Sequence, residues 1–177
     1  MRLVRRARKV SEKRTTLVRT LEGLPPEALT WRVEEGSWSL LDIVEHLVLA
    51  EQDVLIDLDG LAALPARRRT LRNRVGYWLV VGILRFRVPV QVPSEGMKPE
   101  GGRTLRELGA TWALQHDRLI AFLESLKPGE ERAAIFRHPV TGPMSVSDAI
   151  RMLEVHVDRH LGQAERALEA WAAATRE

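Results

Sequence analysis

Cysteine is absent from this 177-residue chain. No disulfide, thiolate-bound zinc or cysteine nucleophile can form, any thiol chemistry needs a thiol from outside, and a reducing cytoplasm is the default compartment. Long apolar runs are also missing. The longest, Val75 to Leu84, is about half of what a bilayer span needs. The N-terminus is basic without the apolar core of a signal peptide, so neither a targeting nor a transmembrane segment is expected. Internal repeats, low-complexity tracts and strand alternation are lacking. Only Phe86 to Val92 has β-branched character, and its prolines count against a strand.

Acidic residues are scarce in two places. Met1 to Thr20 holds eight Lys/Arg and one acid, Glu12, and Arg67 to Arg87 holds seven arginines and no acid. The formal net charge is only +3, so the excess is local. Such blocks suit nucleic acid, an anionic membrane or an acidic partner, although a solvated helix face is the commoner outcome.

The composition, 45% hydrophobic and 29% charged, is that of a globular chain, and the length suits a single domain over residues 1–177. Four long segments carry helical periodicity. The first runs from Val4 to Leu21 with Ala7, Val10, Leu17 and Leu21 on one side, and Pro25-Pro26 closes it. The second starts after Ser39, with Asp42 three residues on as a capping box, and runs to Leu61. Leu40, Ile43, Val44, Leu47, Ala50, Val54 and Leu58 form its apolar face. Thr104 and Glu107 cap the third, which buries Leu105, Leu108, Trp112, Leu119, Leu123 and Leu126. Ser145 and Asp148 open the fourth, which continues to Ala173. A shorter helix is expected from Thr70 to Phe86. Residues 89–102 form a long connection, and Phe136 to Pro143 a turn-rich loop. The pattern predicts an all-α four-helix bundle with long connections and a short extra helix between the second and third long helices.

Two histidines, His156 and His160, lie four residues apart in the fourth helix, and a third, His46, borders the apolar face of the second. Residues i and i+4 share a helix face, so two imidazoles can close on one metal ion, and a third from a neighbouring helix completes a three-nitrogen site with open positions. Three ligands plus an open position is the catalytic arrangement, whereas structural sites are usually closed by four. The residue after the first histidine is Val157, where a zinc protease needs a glutamate. Asp42 and Asp53 are candidates to orient His46, against the alternative that Asp42 serves only the helix cap. Gln163 is a candidate to bond a ligand, against a backbone-bonded glutamine. His116 is expected to be a satisfied core histidine rather than a fourth ligand, and His138 a turn-fixing residue that lines the site. Trp31, Trp38, Trp112 and Trp171 are expected to pack.

The order Trp31-Arg-Val, Gly36-Ser-Trp-Ser39, Glu45-His46-Leu, Met97-Lys-Pro99, His138-Pro-Val-Thr-Gly142 and His156-Val-Asp-Arg-His160-Leu-Gly-Gln163 resembles the DinB/YfiT superfamily, in its DinB-like branch, from about Leu21 to Leu168. The resemblance implies a four-helix bundle whose three-histidine divalent metal site falls here on His46, His156 and His160. The metal varies among such proteins, so zinc, nickel, manganese and iron stay open. Some relatives transfer low-molecular-weight thiols such as bacillithiol, mycothiol or glutathione. The Arg67 to Arg87 block is more basic and apolar than the family leads one to expect.

The leading expectation is a metal-dependent enzyme acting on a small-molecule substrate, with water (a hydrolase) or a small thiol (an S-transferase) as nucleophile. The alternative is a non-catalytic metal- or ligand-binding bundle that docks on nucleic acid or an anionic membrane through its basic segments. A homodimer through Tyr77 to Leu84 is a further expectation, because that segment is apolar.

Overall fold

The computed structural model describes residues 2–56, 68–86, 88, 95–134, 136–138 and 140–176, with backbone alone for 54–56 and 137. Leu58 and Leu61 of the second predicted helix, Arg67, Arg87 and residues 89–94 lie outside the described residues.

Among the described residues six α-helices follow one another: α1 (Arg2–Glu22), α2 (Pro26–Thr30), α3 (Leu40–Ile56), α4 (Leu71–Arg85), α5 (Leu105–Ser125) and α6 (Val146–Ala174). The caps form where the sequence places them. Ser39 Oγ accepts from the Asp42 amide at 3.2 Å and Asp42 Oδ2 accepts from the Ser39 amide at 2.8 Å. Thr104 and Glu107 make the same reciprocal pair on α5, and Thr70 with Asn73 makes it on α4. The short α2 was not expected. Pro26 starts it because the fixed φ of proline suits a first helical position.

α1, α3, α5 and α6 form the bundle. α1 packs on α5 and α6, and so does α3. The long helices therefore circle the core in the order α1-α5-α3-α6, and α1 and α3, successive in the chain, stand diagonally opposed. The core they enclose is the predicted one: Ala7, Val10, Leu17 and Leu21 meet Leu40, Ile43, Val44 and Leu47, with Leu108, Trp112, Leu119, Ile150 and Val157 closing it. α4 lies outside the ring against α6.

Phe136 to Pro143 is not a plain loop. β1 (Phe136–His138) and β2 (Gly142–Met144) pair antiparallel, with Phe136 opposite Met144. Both side chains are buried, so the pair gains a core contact that turn residues alone do not advertise. Gly142 has φ 72°, and a Cβ there would meet Asn73 Nδ2 at 2.6 Å. The Asn73 amide donates to Thr141 O at 3.0 Å, which ties the hairpin to the start of α4.

Three of the eight basic residues in Met1 to Thr20 pair with acids of later helices. Arg6 pairs with Glu154 at 2.9 Å, Arg8 with Glu124 at 2.8 Å and Lys13 with Asp158 at 2.5 Å. Each is worth only about 0–1 kcal/mol. They offset part of the α1 charge against α5 and α6. Among the described residues, no helix is long and apolar enough to cross a membrane.

Candidate metal centre

α3 and α6 meet along the bundle, and their facing sides bring His46, His156 and His160 together. One ring nitrogen from each lies within 4.8 Å of the others. His46 and His160 are buried and His156 is partly buried. The rings stand edge to face, with centroids 4.7 Å apart for His46–His160 and His156–His160 and 5.1 Å for His46–His156.

Hydrogen bonds fix the direction of two rings. His46 Nδ1 donates to the carbonyl of Met97 at 2.7 Å. A carbonyl only accepts, so the His46 lone pair is on Nε2. His160 Nδ1 donates to Gln163 Oε1 at 2.9 Å, which leaves its Nε2 free as well. A metal-binding histidine is ordinarily held by such a bond on its other nitrogen. His46 Nε2 faces His156 Nε2 at 3.2 Å. Two nitrogens each about 2.0–2.1 Å from one zinc-like ion stand roughly 3 Å apart. The donor set, its spacing and its tautomers fit a divalent cation.

Burial lowers the pKa of all three rings. For His160 the drop reaches about 3, from desolvation first and then from the charge of His46. His156 is lowered well below its ordinary value by desolvation, then by His160 and His46. His46 is lowered by desolvation, with the Met97 bond opposing. Neutral imidazoles are what a metal needs. A stability effect follows in the protein stripped of metal. Below the ordinary value of 6.5 the unfolded chain takes up protons that the folded centre refuses. The contribution is thus complete above 6.5 and fades as the pH falls toward 3. The melting temperature of the stripped protein is expected to drop between about pH 7 and pH 5, and His160→Gln to flatten that slope in thermal scans.

The neighbours sort the remaining candidates. Asp42 caps Ser39 and pairs with Arg32 at 2.7 Å, so the cap reading holds, and His46 is oriented by Met97 instead. Gln163 Oε1 accepts from His160 Nδ1, so this side chain holds the His160 ring. Replacing it by leucine is expected to weaken metal binding about 10–100-fold in a chelator competition while the melting temperature in the stripped state stays within a few degrees. His116 is fully buried in the core, 3.1 Å from Glu51 Oε2. His138 Nδ1 accepts from the amides of Val140 at 3.1 Å and Thr141 at 3.2 Å, fixing the turn. Trp38 packs, as expected, but on the centre itself, with ring centroids 4.7 Å from His46 and 5.9 Å from His160.

Sequence reasoning missed the role of the long connection. Met97 lies in a turn of 3-10 helix (Glu95–Met97), and Gly101 donates its amide to buried Glu45 at 3.0 Å. Consecutive residues of α3 thereby clamp the backbone of the connection across the site. The available signal was the buried glutamate next to His46, since a carboxylate in a core needs donors.

An all-α bundle with three imidazoles converging between a pair of its long helices is the class of protein that the fold and site define. The chain belongs to the DinB superfamily, whose family model matches residues 10–164. Among solved structures it is similar to YfiT from Bacillus subtilis, described as a probable metal-dependent hydrolase with an unusual four-helix bundle topology. The TM-score is 0.62 at 16% identity, over 94% of this chain and 83% of that one. At that identity the likeness shows the fold. No curated protein matches the sequence.

Proposed function

We propose that the protein is a metal-dependent hydrolase whose divalent ion is held by His46, His156 and His160. The observation that carries this reading is the convergence of three imidazoles, two of them locked with Nε2 outward by Met97 and Gln163. A bound ion would supply Lewis acidity, which acidifies a small nucleophile at neutral pH. The chain's own part is to keep the rings neutral by burial, to aim them and to wall the centre with Trp38. The description of YfiT as a probable metal-dependent hydrolase supports water as the nucleophile.

A second reading, transfer of a low-molecular-weight thiol, is favoured by the carboxylates. Asp42 is spent on the helix cap and Arg32, Glu45 on Gly101, and Glu154 on Arg6. Water needs a proton acceptor more than a thiol does, because a thiol with pKa about 8–9 ionises readily.

The test uses untagged protein stripped with a chelator and reloaded with zinc, nickel, manganese or iron. Ester and amide hydrolysis and thiol transfer to an electrophilic aromatic are then assayed in parallel. Hydrolysis that disappears on stripping, returns with one metal and is missing in His160→Ala supports the proposal. Transfer without hydrolysis selects the second reading. Metal content below about a tenth of an equivalent after reloading removes both.

A further inference from the structure

α4 has two apolar faces, and only one is covered. Tyr77 and Val81 are buried, with Val80 and Leu84 packed beside them. On the other side Leu71 is 77% exposed, Val75 61%, Trp78 54%, Leu79 64% and, at the C-cap, Phe86 78%. At 3.6 residues per turn these five fall within an arc of about 100°. A surface helix normally turns polar residues outward, and contiguous apolar patches mark contact surfaces.

The charge around the strip is of one sign. Arg68, Arg72, Arg74 and Arg85 are all exposed. Helical spacing puts Arg72 on one flank of the strip and Arg74 and Arg85 on the other. Among the described residues no carboxylate pairs with any of these four. The helix is held firmly to the body. Arg69 pairs with Asp148, Asn73 bonds Thr141 O, and Arg159 donates to Val88 O at 2.9 Å. Arg151 lies over the Trp78 ring at 4.7 Å and steadies it on the surface.

We propose that the outer face of α4 docks on an anionic lipid bilayer, with Leu71, Val75, Trp78, Leu79 and Phe86 entering the interface and the flanking arginines meeting headgroup phosphates. Aromatic and aliphatic residues on one side with arginines at its edges is the composition that lies flat in a membrane interface. Charge decides among occupants. A second copy meeting this face with its own would set arginine against arginine without a carboxylate to offset them. Nucleic acid would satisfy the arginines and leave five apolar side chains in water. An anionic bilayer satisfies both.

The experiment is vesicle co-sedimentation of the full chain, comparing neutral phosphatidylcholine with phosphatidylcholine carrying about 30% phosphatidylglycerol, an anionic lipid. Sedimentation with the anionic vesicles only, weakening as salt rises, is the expected result. Each arginine near such a surface strengthens binding roughly fivefold, so Arg72→Gln with Arg85→Gln should weaken partitioning about 25-fold. Leu71→Ser with Leu79→Ser should weaken it more than tenfold at any salt, since it removes buried apolar area. Both pairs are exposed, and unchanged circular dichroism and metal content would show that fold and centre are intact. The proposal is overturned if the wild-type chain stays in solution with anionic vesicles at low salt. It is equally overturned if the leucine pair binds like wild type, if duplex DNA is bound in place of vesicles, or if light scattering shows a dimer that the leucine pair dissolves.

Discussion

Replacing His46 by alanine is expected to abolish tight binding of divalent metal. Two imidazoles on one helix remain, but the imidazole that α3 brings to the centre is gone, and with it the ring that links the two sides. Loss of a supporting partner alone costs about 10–100-fold in affinity, and loss of a ligand should exceed that. The fold should survive. Glu45 still holds Gly101, and the apolar side of α3 is untouched. His116→Ala is the informative contrast. It removes a fully buried ring in the core and should lower the melting temperature while metal binding stays at the wild-type level. Competition with a chromogenic chelator, run beside thermal scans, separates the two. Wild-type affinity in His46→Ala would show that the three rings do not share an ion.

The largest loss of stability is expected from Trp112→Ala. Trp112 is fully buried, and its Nε1 donates to Glu51 Oε2 at 2.5 Å. Truncating a core tryptophan costs about 3–5 kcal/mol in transfer and cavity terms. The substitution also strips a donor from a carboxyl that is itself buried and whose second oxygen has no hydrogen bond, a penalty of about 1–3 kcal/mol. His116 Nε2 stands near the same oxygen without hydrogen-bond geometry, so it does not replace the indole. Against a typical total of about 5–15 kcal/mol, the variant should be largely unfolded at 37 °C. Trp112→Phe isolates the polar part and should lose about 1–3 kcal/mol in urea titrations. Adding Glu51→Leu to Trp112→Phe should recover part of that loss, because the carboxyl no longer needs a donor. A double variant no more stable than Trp112→Phe would show that Glu51 contributes independently of the indole.

Helix periodicity is written locally, which is why the bundle could be read. Ala7, Val10, Leu17 and Leu21 recur on one side of α1 and are buried, and the capping residues Ser39, Thr104 and Ser145 sit where helices begin. The three site histidines were also legible, two from their spacing and the third from its place beside an apolar stripe. What stayed hidden depends on residues distant in the chain. Nothing around Met97 says that its carbonyl will meet an imidazole 51 positions away. Gln163 lies one turn after His160, and the sequence leaves open whether its amide meets a ligand, the backbone or, as in the structure, the His160 ring. The hairpin at Phe136 and Met144 was obscured by Pro143 and Gly142, which look like turn residues, while the reason for pairing is the core beneath them. The charge block on α1 reads as a solvated face before it reads as a binding surface, and the acids that pair with Arg6, Arg8 and Lys13, namely Glu154, Glu124 and Asp158, lie on helices more than a hundred residues later.

The diagonal placement of α1 and α3 bears on how the chain is made. Both find their bundle partners late in the chain: α1 packs on α5 and α6, and α3 on the same two. The contact order is therefore high for a helical protein, and folding should be slower than in a bundle of successive hairpins. His46 and His156 are separated by 110 positions. A nascent chain on the ribosome presents the first imidazole long before the other two exist, so the centre can assemble only after α6 has been made.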